Sequence, residues 1–119
     1  MTPDYRAVLV VEDEALIAMD IQYQLEDGGW SVIGPAGTPQ RALDLLAATH
    51  PRFAVLDINL GRKTSYDVAD NLAARGVPFL FLSGGTKEVL PDRFRARPLL
   101  QKPIRYDELL RHVGDIGID

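Results

Sequence analysis

The sequence predicts an α/β domain built on a doubly wound, five-stranded parallel sheet in strand order 2-1-3-4-5. Three observations carry this expectation. Short apolar runs rich in β-branched and aromatic residues recur five times along 119 residues. The stretches between and after them show helical periodicity or helix-capping signals. No repeat, low-complexity tract or linker interrupts the alternation, and the length is that of one domain, 1–119. Strands alternating with helices imply parallel pairing, right-handed crossovers and helices on both faces.

Residues 7–11, Ala-Val-Leu-Val-Val, are continuously apolar, as a strand covered on both faces should be. In 14–27, Ile17, Ile21 and Leu25 recur every fourth position between polar residues, and Gly28-Gly29 ends the helix. A second strand is expected over 30–34. Thr38 and Pro39 read as N-cap and first position of a helix over 39–49. Residues 53–56 form a third strand ending on Asp57. Thr64 or Ser65 caps a helix over about 66–75, stopped by Gly76. Pro78 to Leu82 is the fourth strand. Gly84, Gly85, Pro91 and Pro98 leave room for only a short or irregular fourth helix. Residues 99–101 make a short fifth strand, and a last helix runs over about 105–113 with Leu109, Leu110 and Val113 facing inward.

Composition narrows the function. Without cysteine there is no disulfide framework, thiol nucleophile or thiolate metal site, which fits a cytoplasmic protein. No apolar run approaches a membrane span, and the first is too short for a signal peptide. The formal net charge of −4 argues against direct nucleic-acid binding. Acid is concentrated in residues 1–61 and basic residues in 62–119. An acidic front could hold a cation and a basic back could meet a partner; a solvated surface explains both as well.

Ligands of such sheets sit beyond the carboxyl ends of the strands, where strand order reverses. There the sequence becomes specific. The first strand ends in Glu12-Asp13-Glu14, the third in Asp57, the fourth in Ser83 and the fifth in Lys102. Singly, each has an ordinary reading. Acids begin helices, Asp57 closes a turn, Ser83 opens a glycine loop and Lys102 sits on the surface. Together they bring three carboxylates to the reversal point, and like charges that close need a counter-charge. A hard cation held by oxygens, Mg2+, supplies one.

These motifs resemble those of bacterial two-component response-regulator receiver domains. The resemblance spans residues 5–118 and rests on Val-Val-Glu-Asp-Glu at 10–14, Val-Leu-Asp-Ile-Asn-Leu at 55–60, Leu-Ser-Gly-Gly at 82–85 and Lys-Pro at 102–103. It is similar in particular to alphaproteobacterial single-domain receivers with a Phe-Ala-Thr-Gly-Tyr type motif, with Ser83 at the Thr position and Gly85 at the Tyr position. The resemblance implies a flavodoxin-like fold. It implies that Asp57 is the phosphoacceptor, loaded from a sensor histidine kinase or histidine phosphotransfer protein. It places Mg2+ on Asp13, Asp57 and the backbone carbonyl of Asn59, with Glu12 acting largely through bound water. Ser83, Gly84 and Lys102 would hold the phosphoryl group, and a cis bond at Pro103 would aim Lys102 inward.

A receiver filling the chain leaves no room for an output domain, so the output would be a downstream protein partner or a phosphorelay. In the family an aromatic three residues before the lysine follows the switch; here that residue is Leu99. Switching is therefore expected to order or repack 84–98. Arg93, Arg95, Arg97 and Arg105 form a candidate partner face or a solvated edge. The competing functions are an Asp-nucleophile phosphohydrolase on a related α/β fold and a constitutive, unphosphorylated binding module. The hydrolase reading is weakened because the nucleophile stands on the third strand and Asn59, not an acid, lies two residues on.

Overall fold

A computed structural model describes residues 6–84 and 90–117. In chain order the elements are β1 (Ala7–Val11), α1 (Ala15–Asp27), β2 (Ser31–Ala36), α2 (Pro39–Ala48), β3 (Phe53–Asp57), β4 (Asn59–Leu60), β5 (Lys63–Thr64), α3 (Tyr66–Ala74), β6 (Phe79–Ser83), a 3-10 turn (Asp92–Phe94), β7 (Leu99–Gln101) and α4 (Tyr106–Gly117). The main sheet has the order β2-β1-β3-β6-β7 with every pairing parallel. This is the expected 2-1-3-4-5 arrangement of a flavodoxin-like fold.

The period of two along each strand divides the core between the faces. Leu9, Val11, Ala54, Leu56, Phe79 and Phe81 meet Ala42 and Leu46 of α2 and Val68, Ala69 and Leu72 of α3. Val8, Val10, Phe53, Val55, Leu80 and Leu82 meet Ile21 and Leu25 of α1 and Leu109 and Val113 of α4. Because both faces are covered, β1, β3 and β6 are buried along their whole length.

Several boundaries differ from the sequence reading. β2 begins one residue later than expected and runs on through Pro35 to Ala36. Proline is tolerated there because β2 is an edge strand and pairs on one side only. The register against β1 shifts between Leu9 and Val11. Gly34 has φ +96°, and a Cβ on it would stand 2.8 Å from the Ala36 nitrogen. The Gly34–Pro35 and Lys102–Pro103 bonds are both cis. Thr38 caps α2 as expected, accepting a hydrogen bond from the Arg41 amide at 3.1 Å. Ser65 stands at the N-cap of α3 but its side chain makes no capping bond. It is fully buried instead. α4 extends four residues beyond the expected end.

Between β3 and α3 the chain forms a hairpin that the sequence reading left out. β4 and β5 pair antiparallel, Asn59 with Thr64 and Leu60 with Lys63. Residues 85–89 of the expected fourth helix lie outside the described residues. In the described part of that segment there is one 3-10 turn, anchored by Phe94. Its ring lies 5.4 Å from Phe81, 5.7 Å from Tyr66 and 6.1 Å from Phe79, centroid to centroid. Prolines 91 and 98 bound the segment and keep it short.

Two substitutions grade this packing. Thr38→Ala should cost about 1 kcal/mol by loss of the cap. Leu72→Ala, in the fully buried face of α3, should cost about 2–5 kcal/mol. Urea unfolding of both variants checks the ranking.

Candidate functional site

A parallel sheet points all its carboxyl ends the same way, and here four of them carry polar side chains. β1 ends at Val11, so Glu12 and Asp13 leave the sheet together; β3 ends on Asp57 itself. β6 ends on Ser83, and β7 hands on directly to Lys102. Backbone bonds stitch this edge. The Glu12 amide donates to the Ala36 carbonyl at 2.9 Å, Ile58 to Leu82 at 3.0 Å, and Lys102 to Ser83 at 2.9 Å.

Lys102 is the centre of charge. Its Nζ lies 2.7 Å from Glu12 Oε1, 3.1 Å from Asp57 Oδ2 and 3.4 Å from Glu14 Oε1. Lys102 and Asp57 side chains are 14% and 7% exposed, and Glu12 is wholly buried. Solvent screening of the Lys102 pairs with Glu12 and Asp57 is therefore weak. Burial pushes the Glu12 carboxyl up to about 7, reinforced by its hydrogen bond and repulsion with Asp57. Burial opposes the charge on Lys102, but Glu12 and Asp57 outweigh it and raise its pKa above the ordinary amine range. Glu12 Oε2 also accepts from the Glu14 amide at 3.3 Å. Glu14 stands at the N-cap of α1, the position expected for it, with the added contact to Lys102.

Glu12, Asp13 and Asp57 each offer a carboxylate oxygen, and these oxygens lie within 4.8 Å of one another. An all-oxygen, anionic donor set of that size fits a hard divalent cation. Asp13 is exposed, unlike the other two. Its Oδ2 accepts from the Gly61 amide at 3.0 Å, at the turn of the β4–β5 hairpin.

The other expected residues fall as follows. Asn59 opens β4, two residues after Asp57, and is exposed. Ser83 is fully buried and its hydroxyl donates to the Gly84 carbonyl over 3.4 Å. Among the described residues, no atom lies within 4 Å of the place a Gly84 Cβ would take. Gly85 lies outside the described residues. Pro103 follows the cis bond after Lys102. The four arginines are engaged within the chain. Arg93 grips Asp70 of α3 through two bonds, 2.8 and 3.1 Å, and lies over the Phe94 ring. Arg95 pairs with Asp92, Arg97 lies over Phe79, and Arg105 pairs with Asp107.

Two features were missed in the sequence. One is Gly61, whose signal was an isolated glycine four residues after Asp57. The other is a stripe on α1 of Leu16, Met19 and Tyr23, which are 81%, 64% and 64% exposed. Their spacing is helical, but on the face opposite the buried Ile21 and Leu25.

The chain is similar to known proteins over most of its length. The family model described as response regulator receiver domain matches residues 8–114. The chain is 32% identical over 109 residues to the transcriptional regulatory protein PdtaR of Mycobacterium tuberculosis, covering 88% of this chain and 53% of PdtaR. It is 34% identical over 107 residues to the phyllosphere-induced regulator PhyR of Methylorubrum extorquens, covering 82% of this chain and 38% of PhyR. The chain thus spans about half or less of these relatives. The solution structure of SdrG from Sphingomonas melonis Fr1 superposes with a TM-score of 0.81 at 38% identity, covering 95% of this chain and 96% of SdrG. A BeF3-activated conformation of SdrG gives 0.77. The family match begins at the second residue of β1, ends inside α4 and takes in every strand between, and the chain belongs to the response regulator receiver domains.

Proposed function

We propose that Asp57 accepts a phosphoryl group from a phosphohistidine on a sensor histidine kinase or a histidine phosphotransfer protein. A carboxylate oxygen of Asp57 attacks phosphorus, the N–P bond breaks, and the imidazole leaves and takes a proton from water. Water later cleaves the acyl phosphate and restores the carboxylate. The observation that carries this reading is the placement of Asp57, nearly buried at the end of β3, with the Lys102 ammonium 3.1 Å from its Oδ2. The transition state spreads charge over the phosphoryl oxygens, so the chain's contribution is mainly position and countercharge.

Lys102 supplies the fixed positive charge. Ser83 would turn its hydroxyl outward to donate to a phosphoryl oxygen, beside Gly84, where a Cβ would meet no described atom within 4 Å. Asp13 and Asp57 would hold Mg2+ by side chain, Asn59 by its backbone carbonyl, and Glu12 largely through bound water. Bound there, Mg2+ neutralises charge on the attacking carboxylate and the phosphoryl oxygens. No observation favours the phosphohydrolase, whose nucleophile would belong on the first strand. The intact acidic set with its lysine argues against a constitutive binding module.

The partner must reach Asp57 at the sheet edge. Leu16, Met19 and Tyr23 stand on α1, which starts just beyond the acidic cluster, and offer an apolar stripe for a helical partner. The segment 90–98 and its arginines then form the surface that repacks for a downstream protein partner. Arg93 would exchange its bond to Asp70 during that change. We assign 1–119 as one receiver unit acting in the cytoplasm.

Four measurements check this reading. With Mg2+ and acetyl phosphate, the native chain should gain one phosphoryl group by intact mass, and Asp57→Asn should gain none. Neither should turn over an external phosphoester. Leu16→Asp combined with Tyr23→Asp should slow transfer from a phosphorylated kinase about tenfold. The same pair should leave labelling by acetyl phosphate unchanged. The pH dependence follows from Glu12. Its folded pKa is raised, so its contribution to stability is full below 4.5 and is lost as the pH rises through about 7. Without divalent cations, the native chain should lose stability relative to Glu12→Gln across that window, by at most about 3 kcal/mol. A flat difference between the two unfolding curves would contradict the assignment.

A further inference from the structure

We propose that Gly61 is a positioning residue for Asp13, and that the β4–β5 hairpin serves to deliver the Gly61 amide to that carboxylate. The inference rests on the cation reading above. Glu12 and Asp57 are held by burial and by Lys102. Asp13 is exposed. An exposed aspartate samples several rotamers, and each departure from the productive one removes an oxygen from the cluster. The amide of Gly61, 48 residues along the chain, meets Asp13 Oδ2 at 3.0 Å. A backbone N–H to a carboxylate is a charge-assisted bond with a fixed direction.

The hairpin is constructed so that this amide cannot wander. Its base is closed twice: the Ile58 amide donates to the Leu82 carbonyl in β6, and the Ser65 amide donates to the Ile58 carbonyl. Its middle is closed by the Asn59–Thr64 and Leu60–Lys63 pairs. Leu60 is nearly buried in the core between the sheet and α2 and α3. The turn then reverses at Gly61 with φ +65°, the left-handed region. A Cβ at Gly61 would meet no described atom within 4 Å, so the glycine is required by its backbone angle rather than by space. The same hairpin carries Asn59, whose carbonyl is assigned to the cation. One short element therefore sets both the Asn59 carbonyl and the orientation of Asp13.

Two variants at residue 61 test its two demands, a left-handed φ and an N–H, together. Asparagine tolerates the left-handed region and keeps the N–H. Proline has neither. Mg2+ affinity should stay within about twofold of native in Gly61→Asn and fall about tenfold or more in Gly61→Pro, the loss typical when a partner orienting a metal ligand is removed. The native chain provides a second readout that depends on no variant at position 61. In the nitrogen–proton correlation spectrum without cation, the Gly61 amide should be displaced toward hydrogen-bonded values and protected from exchange. Asp13→Ala should abolish both effects while leaving the Ile58 and Ser65 amides protected.

The failures are distinct. If the native chain binds no Mg2+, the cation reading falls and this inference with it. If the native chain binds Mg2+ but Gly61→Pro, folded by its far-ultraviolet dichroism, binds it equally well, only the positioning role is overturned. Should Gly61→Pro not fold, a Gly61 amide indifferent to Asp13→Ala overturns the inference by itself.

Discussion

Everything at the functional edge depends on one ammonium group among carboxylates. Lys102 reaches from the end of the outermost strand, past β6, to Asp57 on β3 and to Glu12 just beyond β1. One positive charge cannot balance Glu12, Asp13 and Asp57. The cluster relieves the deficit by the means proteins have available. Glu12, wholly buried, holds its proton up to about 7, and Asp13 stays in water with an amide on one oxygen. A divalent cation and a phosphoryl group, one positive and one negative, are the pair of ligands such an arrangement accepts without leaving a large buried charge.

The sheet makes that arrangement possible. Strand order 2-1-3-4-5 places the first and third strands side by side, so acids separated by over forty residues become neighbours. Burial of β1, β3 and β6 on both faces fixes their register, and with it the height of Glu12, Asp57 and Ser83. Residues 90–98 take their shape from Phe94, which packs with Phe79, Phe81 and Tyr66, and from the Arg93–Asp70 pair. Phe81 and Ser83 lie on the same side of β6. The aromatic cluster therefore stands directly below the serine assigned to the phosphoryl group, in a chain whose residue 99 is leucine.

Strands and site carboxylates were legible because they follow strong local rules. Unbroken apolar runs declare strands buried on both faces, and a polar residue that ends such a run must lie at the sheet edge. Ser65 looked like an N-cap by its type, but it is buried and caps nothing. The second strand was expected to end at residue 34, but an edge strand can admit Pro35. The β4–β5 hairpin has two-residue strands, too short for any alternation to show. Its stability comes from Leu60 in the core and from bonds to distant residues, Asp13 among them. The arginines of 93–105 read as one basic run, because Asp70, the partner of Arg93, is supplied by another helix.

The central claim is that Lys102 and the three carboxylates form one site for a phosphoryl group on Asp57. The most direct measurement is a structure of the chain with Mg2+ and beryllofluoride, a mimic of the phosphoryl group. The account predicts beryllium on an Asp57 oxygen, the Lys102 ammonium moved from Glu12 onto a fluoride, and Mg2+ against Asp13 and Asp57. A structure in which Asp57 stays bare and Lys102 keeps its present contacts to Glu12 and Asp57, at saturating ligand, would contradict it.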